Sequence, residues 1–358
     1  MLRDHASKLA ATAAAGAMLM AVAACGGSSD TGTDTATPGT SSAASSAPAA
    51  GGPKVGLAYD IGGRGDQSFN DAAAAGLEKG KAELKISETK ELEASPGETG
   101  AQKEQRLRLL AQTGHNPIIA VGFAYSDAIK KVAGEFPDTK FAIIDDAAAG
   151  PNISNLVFAE NEGSFLVGAA AALKSKKGHI GFVGGVQVPL IKKFEVGYTK
   201  GAQAVKPDIK VDVKYLTQPP DFGGFNDPAK GKTAAQGMYD AGADIVYQAA
   251  GGSGGGVFEA AKAAGAKAIG VDSDQALTAD PSVRDVIMTS MLKKVDVAVF
   301  DFLKSFVDGT VKAGATTYDL KAGGVDYSTT GGQVDDIKAK LDEYKQKIVN
   351  GEITVPSQ

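Results

Sequence analysis

Tryptophan is absent from the 358 residues, cysteine occurs once and histidine three times. A lone cysteine excludes a disulfide within the chain, so the hydrophobic core alone must hold the fold. His5, His115 and His179 are too far apart in sequence, and too far from paired acids, to suggest a transition-metal site. No stretch places oxygen ligands at alternating positions over a dozen residues, as a calcium loop requires. No metal or cofactor is therefore expected. A basic stripe is also missing: the formal net charge is −5 and the Lys and Arg residues are scattered, which argues against nucleic acid as a partner. What the chain has in abundance is glycine, 46 residues, and alanine. Small residues in such numbers suit the tight strand-to-helix turns and close helix packing of an α/β protein. With 43% hydrophobic and 22% charged residues, the chain can bury a sizeable core divided between two lobes.

Arg3 and Lys8 precede an uncharged, Ala-rich run over residues 9–24. At about 16 residues it falls short of the roughly 20 strongly apolar residues that span a bilayer, and it reads as an export signal over residues 1–24. The run ends Val22-Ala23-Ala24-Cys25-Gly26, which resembles the lipobox of bacterial lipoproteins and implies that Cys25 is acylated. Residues 26–52 are Gly, Ser, Thr, Ala and Pro with two aspartates and no Leu, Ile, Val or aromatic residue. Such a segment has nothing to bury, so residues 25–53 read as a lipidated cysteine and flexible tether. The expected location is the extracellular face of the membrane, held by lipid alone.

From Lys54 onward, short apolar runs alternate with longer amphipathic stretches, the pattern of a parallel sheet flanked by helices. Strands are expected at 55–59, 86–92, 117–121, 141–145 and 155–158, with helices at 69–84, 99–113 and 126–135. A second series follows, with helices at 164–174, 191–205, 228–241 and 255–264 and strands at 179–183, 210–216, 245–248 and 268–271. A strand at 286–291 and helices at 293–307 and 335–350 complete the chain. Two α/β series followed by extra elements imply that the chain crosses back between lobes through a multi-strand hinge. Residues 54–157 plus about 289–315 are assigned to one lobe, and 158–288 plus about 316–358 to the other, with 319–330 as a loop.

Ligands of open parallel sheets bind beyond the carboxyl ends of the strands. The first strand ends Tyr59-Asp60-Ile61-Gly62-Gly63, and Asp66-Gln67-Ser68-Phe69-Asn70 opens its helix. Ser68 suits a helix cap, whereas Phe69 either staples the helix to the core or faces a ligand. Asp145-Asp146 and Asp272-Ser273-Asp274 end two further strands; such acids serve as general acid and base or as acceptors of hydroxyl and amino protons. Tyr247-Gln-Ala-Ala-Gly251-Gly252-Ser253 runs from a strand into a glycine-rich turn that brings backbone N–H groups near a solute. The turn lacks the lysine of a phosphate-binding loop, and Gly63-x-Gly65-x-x-Ser68 misses the dinucleotide fingerprint. Gly251-Gly-Ser253-Gly-Gly255 matches the G-x-S-x-G of α/β-hydrolases, but their partner histidine follows the serine and all three histidines here precede it.

These blocks together resemble the basic membrane protein family of solute-binding lipoproteins. The matching segments are Asp66-Gln-Ser-Phe-Asn70, Phe158-Ala-Glu-Asn-Glu-Gly163, Gly178-His-Ile-Gly-Phe-Val-Gly-Gly185, Ala249-Ala-Gly-Gly-Ser-Gly254, Ile269-Gly-Val-Asp-Ser-Asp-Gln275 and Thr289-Ser-Met-Leu-Lys-Lys294. The resemblance implies a type I periplasmic-binding-protein fold, two doubly wound lobes closing on a cleft. It implies purine nucleoside binding on behalf of an ABC permease, without catalysis. Phe69 then stacks on the purine and Asn70 reads its edge, while Tyr247 stands where relatives have the opposing Phe; the residues themselves leave Tyr247 open to core packing or stacking. Asp272 and Lys293 match positions that hold the ribose, Gly251 or Gly252 a backbone contact, and Asp60 and Asp145 further base contacts. A sugar receptor of the same fold and a surface nucleoside hydrolase are the alternatives.

Overall fold

The computed structural model describes residues 51–358. The export signal, Cys25 and most of the tether lie outside the described residues. The chain enters lobe 1 with β1 (Lys54–Ala58), α1 (Phe69–Glu83), β2 (Glu88–Leu92), α2 (Gly100–Gln112), β3 (Ile118–Ala120), α3 (Ser126–Glu135), β4 (Phe141–Ile144) and β5 (Ile153–Phe158). It continues in lobe 2 with α4 (Glu160–Lys174), β6 (His179–Val186), α5 (Pro189–Val205), β7 (Lys210–Thr217), α6 (Pro228–Asp240), β8 (Ile245–Ala249), α7 (Gly254–Ala263), β9 (Lys267–Asp272), α8 (Gln275–Thr278) and β10 (Ile287–Lys293). Last come α9 (Val295–Val307), β11 (Gly314–Tyr318), β12 (Val325–Tyr327) and α10 (Lys338–Val349).

Two six-stranded sheets result, ordered β11-β5-β4-β3-β1-β2 and β12-β10-β9-β8-β6-β7. All neighbours are parallel except β12, which runs antiparallel to β10. The inner strands β3, β4, β6 and β8 are buried at every position, as strands covered by helices on both faces must be. Local signals start some of the helices. Thr99 and Gln102 form a capping box on α2, and Asp227 caps α6 ahead of Pro228 at its first position. Glycines let α4 and α5 touch through backbone: a Cβ on Gly168 would lie 2.0 Å from Tyr198 O, and one on Gly201 1.9 Å from Phe165 O. The expected α/β fold of type I periplasmic-binding architecture is the fold observed.

The chain passes between lobes at Phe158 to Glu160, at Lys293 to Val295 and at Tyr318 to Val325. These crossings correct the expected boundaries. Residues 289–293 belong to lobe 2, because β10 pairs with β9, and α9 joins lobe 1 by packing on α1. Residues 316–318 belong to lobe 1, because β11 pairs with β5. The expected loop at 319–330 contains β12. No described helix is long and apolar enough to cross a membrane.

Candidate functional site

The carboxyl ends of both sheets face one cleft. On the lobe 1 side, Asp60 follows β1; its backbone N–H donates to Asn70 Oδ1 at 3.1 Å, and its own Oδ1 accepts from Ile61 N at 2.8 Å. Gly122 lies beneath it at φ +100°, and a Cβ there would stand 2.3 Å from Asp60 Oδ2, so only glycine leaves room for the carboxylate. Asp66 accepts from the backbone N–H groups of Ser68, Asn70 and Asp71 at 2.9, 2.8 and 3.1 Å. It thereby supplies acceptors at the amino end of α1, the task expected of Ser68. Ser68 makes no side-chain cap bond; its hydroxyl crosses the cleft to Asp272 Oδ2 at 2.6 Å. This arrangement leaves Phe69, the first residue of α1, lining the cleft.

On the other side, Asp272 ends β9 and Lys293 ends β10, while Asp145 reaches in from the end of β4 in lobe 1. Asp145 and Asp272 have φ of +69° and +62°, a left-handed conformation that aspartate tolerates better than most residues and that is concentrated at functional sites. The Lys293 ammonium donates to Asp145 Oδ2 across the lobes and lies 3.8 Å from Glu160 Oε1. Three aromatic rings surround it, with centroids 4.9 Å away for Phe69, 5.1 Å for Phe158 and 5.6 Å for Phe194. Burial works against this charge, but Asp145, Glu160 and Asp272 outweigh it and hold the lysine above its ordinary pKa. Asp145 Oδ1 is buried without a protein partner and is open to a donor.

The structure brings together Asp60, Phe69, Asn70, Asp145, Gly251, Asp272 and Lys293 on the cleft wall. It does not bring Tyr247 or Gly252. Tyr247 is wholly buried inside lobe 2, packed at centroid distances of 5.1 Å on Tyr198 and 5.6 Å on Phe182, with its hydroxyl 3.3 Å from Ser164 Oγ. It sits two residues before the end of β8 and is not on the cleft wall. Gly252 turns toward Asn226, whose Oδ1 would lie 3.1 Å from an added Cβ. Asn70 lines the cleft, but its carbonyl holds Asp60 and its amide donates to Asp66 Oδ2 at 3.0 Å, so it positions the Asp60 loop. Phe194 of α5, Phe225 and Asp66 line the cleft and were not singled out in the sequence. Asp66 had a legible signal, an acid just before a helix; Phe194 reads as an ordinary core position of an amphipathic helix.

Ser253, the serine of the hydrolase-like motif, is fully buried; its hydroxyl donates to Gly224 O and accepts from Asp227 N, both at 2.7 Å. It ties the glycine turn to the start of α6. The described histidines lie elsewhere, His115 beside Glu88 and His179 against Asp212.

Residues 53–358 match the family described as ABC transporter substrate-binding protein, PnrA-like. The chain belongs to that family. The ABC transporter nucleoside-binding protein BmpA of Lactococcus lactis is 35% identical over 320 residues, covering 85% of this chain and 89% of the relative. Basic membrane protein A of Borreliella burgdorferi is 35% identical over 314 residues, covering 85% and 88%. A crystal structure of an ABC transporter solute-binding protein from Aeropyrum pernix superposes with a TM-score of 0.74 at 29% identity, covering 86% of this chain and 94% of that one. The role of a family member is solute binding for an ABC transporter.

Proposed function

We propose that the cleft binds a purine nucleoside and presents it to an ABC permease. The observation that carries this reading is that Phe69 and Phe194, from opposite lobes, flank the same Lys293 ammonium beside the Asp145 and Asp272 carboxylates. Two rings suit the faces of a flat base, and Phe194 takes the place first expected of Tyr247. An ionised carboxylate only accepts, so Asp60 and Asp145 suit base N–H groups and Asp272 suits a ribose diol, with Lys293 donating to the same hydroxyls. The nucleoside-binding relative from Lactococcus lactis supports the same substrate class. Four of the lining side chains are aspartates and one is a lysine, which favours an uncharged, donor-rich guest over a phosphorylated one.

A thermal-shift panel tests the reading. Purine ribonucleosides are expected to raise Tm, a ligand at 100 times its Kd adding about 2.7 kcal/mol. Deoxyribonucleosides, free bases and nucleoside 5′-phosphates should raise it less. A shift with free pentoses and none with nucleosides supports a sugar receptor instead, and release of free base from inosine supports an enzyme.

Binding and stability should respond to pH in opposite directions. Burial pushes Asp60 and Asp272 up to about 6, the second despite the pull of Lys293 and Ser68. A carboxyl raised in the folded state adds stability that is fully present below its unfolded value and is lost as pH rises through about 6. Ligand acceptance needs the ionised form, so affinity should fall as pH drops through the same window. Calorimetric titrations and urea melts between about pH 3 and 8, a range that brackets the ordinary carboxyl value and the raised one, check both slopes. Parallel slopes would contradict the assignment of these acids as acceptors.

Cys25 is proposed to carry the lipid that holds the domain at the extracytoplasmic face. Fatty-acid labelling that persists in Cys25→Ala would rule this out. Closure of both lobes on the ligand is the proposed signal to the permease.

A further inference from the structure

The hinge carries a fully buried carboxylate with no part in the ligand contacts above. Glu160 is the first residue of α4, immediately after the chain leaves β5 for lobe 2. Its neighbours in the Glu160-Asn161-Glu162 segment are fasteners. Asn161 Nδ2 donates to Val355 O at 2.7 Å and secures the C-terminal segment, while Glu162 Oε2 accepts from Leu320 N at 3.0 Å and secures the last crossing. Glu160 does something else. It is 0% exposed, its Oε2 accepts from Lys193 Nζ at 3.1 Å, and its Oε1 has no hydrogen-bond partner and faces Lys293 Nζ at 3.8 Å.

A carboxylate is costly to bury unless its charge is compensated. Compensation comes from Lys193, from Lys293 and from the positive end of α4, where Glu160 sits in the first turn. Burial raises its pKa and the lysines pull against that rise. The two acids around Lys293 differ in where they are mounted. Asp145 is in lobe 1 and meets the lysine only when the lobes are together. Glu160 is in lobe 2 with Lys293, since α4 packs on β10, so its place beside the ammonium does not require contact between the lobes. The rings of Phe158 and Phe194 lie against the same ammonium.

We propose that Glu160 is the positioning residue for sugar recognition, the resident counter-ion that keeps Lys293 charged and aimed at the hydroxyls of the guest. This rests on the nucleoside reading above and adds to it a residue that does not touch the ligand. Lys293 donates to the ribose, Asp145 competes for the same ammonium, and Glu160 holds it from behind so that a proton remains directed into the cleft. Recognition of the base rests on rings and acids mounted on other elements, so it should respond less to Glu160 than recognition of the ribose does.

Calorimetry on the full chain with inosine and with hypoxanthine separates these parts. In Glu160→Gln the ratio of inosine to hypoxanthine affinity should fall about tenfold or more, the scale of one charge-assisted hydrogen bond, while hypoxanthine binding changes by less than about threefold. Glu160→Asp, which keeps the charge, should recover part of the ratio. An unchanged ratio in Glu160→Gln, or equal losses for both ligands, overturns the proposal; equal losses are what a merely structural role would give. If Glu160→Gln folds poorly, the double variant Glu160→Gln/Lys193→Met removes the second ion pair as a unit and reads the same ratio. A wild type with no preference for inosine over hypoxanthine overturns the nucleoside reading and this inference with it. That failure shows in the wild type alone.

Discussion

Lys293→Met is expected to lower the unfolding free energy by about 3–5 kcal/mol at neutral pH and to abolish measurable nucleoside binding. Lys293 is 2% exposed and is the one cation among the described residues that line the cleft. Without it, Asp145 and Asp272 lose their compensating cation and Glu160 keeps only Lys193. The penalty is that of stranded buried carboxylates, far above the loss of a surface pair. Because protonation relieves such carboxylates, the destabilisation should shrink as pH falls toward 5, on the way to their ordinary titration range. Urea denaturation at two pH values measures this. A loss under about 1 kcal/mol, or one that does not vary with pH, would show that the acids are not held in place by the lysine.

Phe69→Ala is expected to weaken purine nucleoside binding roughly 30- to 100-fold, the equivalent of about 2–3 kcal/mol for removing a ring that covers one face of the base. Phe194→Ala should weaken it comparably if the base lies between the two. Tyr247→Leu, which removes the ring, separates this arrangement from the clamp first expected from the sequence. Its ring is packed on Tyr198 and Phe182 and its hydroxyl meets Ser164, so affinity should change less than about threefold while stability falls by about 2–3 kcal/mol, the cost of truncating a buried ring. Isothermal titration of the three variants against inosine decides between them. A large loss in Tyr247→Leu with none in Phe194→Ala would restore the original pairing.

That misplacement shows where a sequence stops being readable. Strand ends are marked by a change from apolar to polar residues, which locates Asp60, Asp145 and Asp272, whereas Lys293, expected at the start of a helix, came to the site only through the family resemblance. Within β8 all five residues, Ile245–Ala249, are buried, and a strand covered on both faces carries no alternation to say which side chain points up and how far from its end it lies. Phe194 was hidden for the opposite reason. In α5 it occupies a core-facing position, and only the way that helix meets the cleft distinguishes it from Tyr198 one turn later.

The hinge was legible in outline and misdrawn in detail. β11 reads Gly-Ala-Thr-Thr-Tyr, with four of five positions exposed and no apolar run, so nothing local marks it as a strand; its pairing with β5 comes from tertiary structure. The left-handed φ of Asp145 and Asp272 is equally silent in sequence, since aspartate at a strand end is compatible with either hand. By contrast, the Phe158–Gly163 block, quoted first only as a family signature, becomes intelligible residue by residue once the hinge is seen to be tied through Glu160, Asn161 and Glu162.

A crystal structure of the protein with inosine bound tests the central claim most directly. The base should lie between Phe69 and Phe194, with the ribose hydroxyls on Asp272 and Lys293 and a base N–H on Asp145. Inosine seated outside the cleft, or with both rings on one side of the base, would contradict it.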